Sequence, residues 1–245
     1  MKRWISAAAL GLGLWAGAGV AQADTLHLPG GMTVPMGGAV EVTDAESSFW
    51  GGLLAGQMRE AVTEDKLARC IDSLHLYGAD GGEKRDRLAQ LAAHILAEGR
   101  FERLTGRDGG AEAILLSVYV SREEKEEIEA LLADAREPDI PMAGSSRLRR
   151  SGISAGKFSL VEASPVKRGV SAGGVGYQWG EAALTFAGQW GLTLPFSAVY
   201  AVQSGASGEA YTLFLALPES ADYFLPHFEK GLAEAEDGGA AEGGA

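Results

Sequence analysis

Two stretches of the chain read Gly-x-Ser-x-Gly: Gly152-Ile153-Ser154-Ala155-Gly156 and Gly169-Val170-Ser171-Ala172-Gly173. In hydrolases with this spacing the serine stands on a strained strand-to-helix turn, and a histidine oriented by an acid takes its proton. Asp222 and His227 follow in the required order of serine, acid, histidine. A serine hydrolase using Ser154 or Ser171 with Asp222 and His227 is therefore the alternative reading of this chain. The context argues against it. Arg147-Leu148-Arg149-Arg150-Ser151 precedes Ser154 where a buried strand is needed, and Lys157-Phe158-Ser159-Leu160-Val161 follows with the alternation of a strand. With 35 glycines and 17 serines in 245 residues, chance alone supplies roughly 0.3 such matches. No catalytic residue is expected.

Other chemistries have less to stand on. His27, His75, His94 and His227 show no metal-ligand spacing, and Cys70 is the single cysteine. No calcium loop, Walker motif or dinucleotide glycine pattern is present. No metal and no cofactor is expected. A lone Cys70 beside Leu67 and Ile71 is expected to be a small buried hydrophobe.

Binding residues are better represented. Arg147, Arg149, Arg150, Lys157, Lys167 and Arg168 cluster between residues 145 and 170, where Glu162 is the only acid. Beyond them, residues 169–208 carry one charge, Glu181, among many aromatic and aliphatic residues. Such a stretch has both sheet faces covered, or one face that binds something apolar. Arg147, Arg149, Arg150, Tyr177, Trp179 and Trp190 are the binding candidates, for an unidentified protein or small ligand.

The N-terminus sets the compartment. Lys2 and Arg3 precede the uncharged run Trp4–Val20, and Ala21-Gln22-Ala23 offers an A-x-A cleavage site. This is the pattern of a secretory signal peptide over residues 1–23, with Asp24 the first mature residue and a periplasmic or extracellular destination. No other run is long and apolar enough to span a bilayer, so no transmembrane anchor is expected after cleavage. The chain carries a net charge of −12, more negative still without Lys2 and Arg3. That disfavours nucleic acid, whose phosphates need cations.

These residues must be positioned by short elements, because glycine pairs at 30–31, 37–38, 51–52, 81–82, 109–110 and 173–174 mark turns. Residues 25–42 alternate as two short strands. A helix is expected from Asp65 over Leu67, Cys70, Ile71 and Leu74, and another from Glu83 to Arg100 with a stripe of Leu88, Leu91, Ala92, Ile95 and Leu96. Asp44 offers a cap to a helix over 44–62, which Gly51, Gly52 and Gly56 weaken. Ala113–Val120 reads as a central strand buried on both faces. Ser121 and Glu124 then form a capping box for a helix that reaches about Ala135 and buries Ile128, Leu131 and Leu132. Three or four antiparallel strands follow between 169 and 217, and then a closing helix whose first turn holds Pro226. The Gly/Ala/Glu/Asp tail, 234–245, is expected to be disordered.

The expectation is one α+β domain over residues 24–233, with a mainly antiparallel sheet and its helices packed on one face. Over about residues 110–235 the element order, with a helix closing after a hairpin, resembles the PsbP/Mog1-like domains of exported bacterial proteins. That resemblance implies a non-catalytic accessory or binding module, and it assigns no functional residue.

Overall fold

The computed structural model describes residues 24–45, 63–137, 157–187 and 193–238. Strands β1 (Thr25–His27) and β2 (Met32–Pro35) flank a single 3-10 turn at Pro29–Gly31, and β3 (Val40–Asp44) follows. Helices α1 (Glu64–Ser73) and α2 (Gly82–Ala97) lead to β4 (Arg100–Gly106), β5 (Glu112–Ser121) and α3 (Arg122–Leu132). The second half holds β6 (Lys157–Ala163), β7 (Lys167–Val170), β8 (Gly176–Ala187), β9 (Thr193–Ser204) and β10 (Gly208–Ala216). Helix α4 (Pro218–Glu234) and the two-residue β11 (Glu236–Asp237) close it. Among these helices none is long and apolar enough to cross a membrane.

Eight strands form one antiparallel sheet in the order β3-β4-β5-β10-β9-β8-β6, with β7 also paired to β8. A small second sheet, β1-β2-β11, lies over it. The α+β class and the antiparallel sheet match the sequence reading. Ala113–Val120 lies inside β5, the third strand from the β3 edge, but it is not buried on both faces: Ala113, Leu115 and Ser117 are buried, while Ile114, Leu116 and Val118 on the other face are half-buried. The helices, however, divide between the two sheet faces. Cross-strand partners share a face and alternate residues do not. The pair Leu115–Phe214 faces Phe224, Phe228 and Leu232 of α4 and Leu26, Leu28, Met32 and Val34 of the small sheet. The pair Val118–Tyr211 faces Leu91 and Ile95 of α2 and Ile128 of α3.

The caps and turns obey local chemistry. The Ser121 hydroxyl accepts from the Glu124 N–H (3.3 Å), and the Glu124 carboxylate accepts from the Ser121 N–H (2.8 Å), as the capping box requires. Helix α3 ends at Leu132 and buries nothing fully, with Leu132 left exposed. Polar bridges tie it and the residues just after it to α2 and the segment before α2: Arg87 to Glu127, Lys84 to Asp134 and the Tyr77 hydroxyl to the Leu131 carbonyl.

Three further expectations are corrected. Pro218, not Pro226, sits in the first turn of α4; Pro226 lies inside the helix on its exposed side. There the carbonyl it leaves unbonded faces water, which lowers the cost of an internal proline. Cys70 is exposed, since α1 turns only Ile71 inward. The chain from Glu234 is not all tail: Ala235 is fully buried, and Glu236 and Asp237 pair with Thr33 and Met32. The expected helix over 44–62 lies outside the described residues, except that Asp44 ends β3 and does not cap a helix.

Candidate functional site

Of the sequence candidates, Arg147, Arg149, Arg150, Ser154 and Trp190 lie outside the described residues. The structure does not bring the others together as a catalytic group. Ser171 occupies the turn between β7 and β8. Its hydroxyl donates to the Ala235 carbonyl (2.7 Å) and accepts from the Val175 N–H (3.0 Å), and the residue is buried. Ala172 N–H donates to the Ala233 carbonyl (2.8 Å), so the turn is latched to the end of α4.

The motif's glycines have the same explanation. A Cβ on Gly173 would stand 2.5 Å from the Ala235 carbonyl oxygen, and one on Gly169 would stand 2.4 Å from the Tyr177 hydroxyl. Close approach to a backbone carbonyl demands glycine at 173, whereas at 169 the crowding atom is the movable end of the Tyr177 side chain. The segment is strand–turn–strand, where the nucleophile elbow needs strand–turn–helix. His227 stands on α4 with its ring 5.5 Å from that of Tyr223. It lies eight residues before Ala235, roughly 12 Å along the helix axis. Asp222 is exposed. Here Gly-x-Ser-x-Gly is the imprint of packing.

Two aromatic candidates are likewise reassigned. Trp179 is 1% exposed and belongs to the main core, its ring capped by the Lys167 ammonium at 4.2 Å. Lys167 also pairs with Glu229 (3.3 Å). Tyr177 is half-buried against the same core.

The other face of that half-sheet is different. Along β10 burial alternates without exception: Ala210, Thr212, Phe214 and Ala216 are buried, while Glu209, Tyr211, Leu213 and Leu215 are half-exposed. Register places Ile114, Tyr200, Leu184, Leu160 and Val170 on the side of Leu213 and Leu215. All five are half-exposed or exposed, and Val170 is 71% exposed. At one end of this face α2 and α3 cover Val118, Val120 and Tyr211. Elsewhere its aliphatic side chains keep partial contact with solvent. Val161 and Val166, also exposed, extend apolar surface along the β6–β7 edge. A bulge at Val161, the break at Pro165 and the cation Lys167 are features that blunt a sheet edge against pairing with another strand.

Two polar arrangements escaped the sequence reading. On the α4 side, Glu102, Ser117, Thr212 and Gln203 form a diagonal row across β4, β5, β10 and β9. Glu102 Oε2, the two hydroxyls and both ends of the Gln203 amide are buried with no hydrogen-bond partner among the described residues. On the opposite side Glu209 accepts from Lys125 (2.7 Å), Tyr211 (2.7 Å) and Ser204 (3.0 Å). Burial pushes the Glu209 carboxyl up, but these hydrogen bonds and the Lys125 charge outweigh it and hold it below the usual range. Burial, then the bond to Glu209, raises the Tyr211 hydroxyl well above its ordinary value. A glutamate at an alternating position was the available signal in both cases.

Two open depressions, of about 630 and 700 Å³, border α1 and α2. The second is lined by Asp72, Arg85 and Asp86, which satisfy one another. Among the described residues no cluster of His, Cys, Asp or Glu stands ready for a metal ion. No protein-family model matches the chain, and no curated protein matches it.

Proposed function

We propose that this is an exported, non-catalytic protein that works by binding an apolar ligand or the apolar patch of a partner protein. The observation that carries this reading is the burial asymmetry of β8, β9 and β10. One face is a closed core around Trp179, Val199 and Phe214, while the other presents half-exposed Leu213, Leu215, Tyr200 and Leu184. Contiguous apolar surface of this kind marks interaction sites. The structural use of the Ser171 hydroxyl supports the choice against hydrolysis, and the resemblance read from the sequence to PsbP/Mog1-like modules fits a binding role. Export rests on the leader, and N-terminal sequencing of the processed protein is expected to begin at Asp24.

The test is titration of the full chain with the apolar fluorophore anilinonaphthalene sulfonate, near-UV circular dichroism serving as the control for native packing. Saturable fluorescence, reduced in Leu184→Asp and in Val170→Asp with packing retained, is the expected result. Native protein that leaves the dye dark has this face covered by its own chain, and the proposal then fails. Dye binding that ignores both substitutions also defeats it.

A further inference from the structure

Glu102 stands on the core-facing side of β4, with Asp44 across on β3 and Leu115 across on β5. It is largely buried, and Oε2 has no hydrogen-bond partner among the described residues. Arg100 lies two residues back on the same strand and so on the same face. Its Nη1 donates to the His27 carbonyl (3.0 Å), at the end of β1. That bond ties the small sheet to the broad one beside the buried polar row.

Among the described residues the charged groups facing Glu102 are Asp44 from β3 and Arg100 from its own strand. β5 offers only Leu115 and Ser117, and the His27 side chain is exposed. A protonated Glu102 leaves Arg100 to the His27 carbonyl. An ionised Glu102 is a buried carboxylate that needs a cation, and among the described residues Arg100 is the cation within reach. Turning toward Glu102 along its own strand draws the guanidinium away from β1. We propose that Arg100 is a two-position latch, held on the His27 carbonyl while Glu102 is protonated and drawn to Glu102 once it ionises, so that β1 and the turn after it loosen as pH rises.

The direction follows from proton binding. Burial pushes the Glu102 carboxyl up to about 7, with Arg100 opposing and Asp44 adding to the rise. The closed state thus holds the proton more firmly than the open one. Its advantage is complete below the ordinary carboxylate range and is lost as pH climbs to about 7, with no further loss above.

Hydrogen–deuterium exchange on the full chain tests the latch through peptides covering residues 24–36, with rates corrected for the intrinsic effect of pH. Protection of this segment is expected to fall by roughly tenfold or more between pH 5 and pH 8. In Glu102→Gln, or in Glu102→Leu should the first not fold, protection is expected to stay high at both. In Arg100→Met it is expected to be low at both. Equal wild-type protection at the two pH values overturns the latch, and so does a pH difference that survives removal of the Glu102 carboxyl.

Discussion

Replacing Glu209 with alanine is expected to cost far more than its half-exposed position on β10 suggests. The carboxylate is 13% exposed and accepts three hydrogen bonds, one of them from an ammonium group. Alanine leaves the Tyr211 hydroxyl without its acceptor where burial is already substantial, and leaves Ser204 without its partner. An orphaned buried polar group costs about 1–3 kcal/mol. Lys125 is 38% exposed and re-solvates, so its release adds little. The sum for Glu209→Ala is about 2–4 kcal/mol. Urea unfolding followed by far-UV circular dichroism measures it as a lower midpoint at unchanged slope. Lys125→Met is expected to shift the midpoint by less, and Lys84→Met, whose Asp134 pair is open to water, by nothing measurable. The wild-type contribution of Glu209 also has a pH signature. Its carboxyl is held below the ordinary value, so the stability it confers is present above that value and fades as pH falls toward and through the lowered one. A loss under about 0.5 kcal/mol in Glu209→Ala, or a loss equal in Lys84→Met, refutes the claim that this network docks α3 onto the sheet.

Three further outcomes follow from the packing. Ser171→Ala is expected to destabilise the protein by about 1–3 kcal/mol, because the Val175 N–H and the Ala235 carbonyl both lose their buried partner; a fluorophosphonate probe is expected to label neither wild type nor variant at this position. Gly231→Ala puts a methyl group 2.2 Å from the Pro35 carbonyl oxygen, and a loss of about 2–4 kcal/mol is expected in a thermal melt, since neither backbone can yield. Cys70 is expected to react fully with a maleimide in the native protein, and protection of its thiol would contradict the exposed face of α1.

Local chemistry was legible where neighbours in sequence decide the outcome. Ser121 and Glu124 are three residues apart, so their mutual capping is written in the chain. The run Ala113–Val120 is short and rich in aliphatic and β-branched residues, which favours a strand. What escaped depends on who packs against whom. Cys70 follows Arg69 on a helix that turns only Ile71 inward, and nothing local distinguishes that from a buried stripe. Trp179 and Tyr200 sit in one uncharged stretch, yet alternation sends the first into the core and the second to the other face. The parity of each strand relative to α4 is fixed only by the assembled sheet. Gly173 looks like part of a catalytic signature in sequence because the Ala235 carbonyl that demands it comes from far along the chain.

The pairing of Glu236 with Thr33 joins segments from opposite ends of the folded unit. Ribosomal synthesis delivers Thr33 long before its partner exists, so β2 waits with one edge unsatisfied until almost the whole polypeptide has emerged. Pairing across so long a loop is slow to nucleate. Until it forms, the leading segment lacks the strand that closes its sheet.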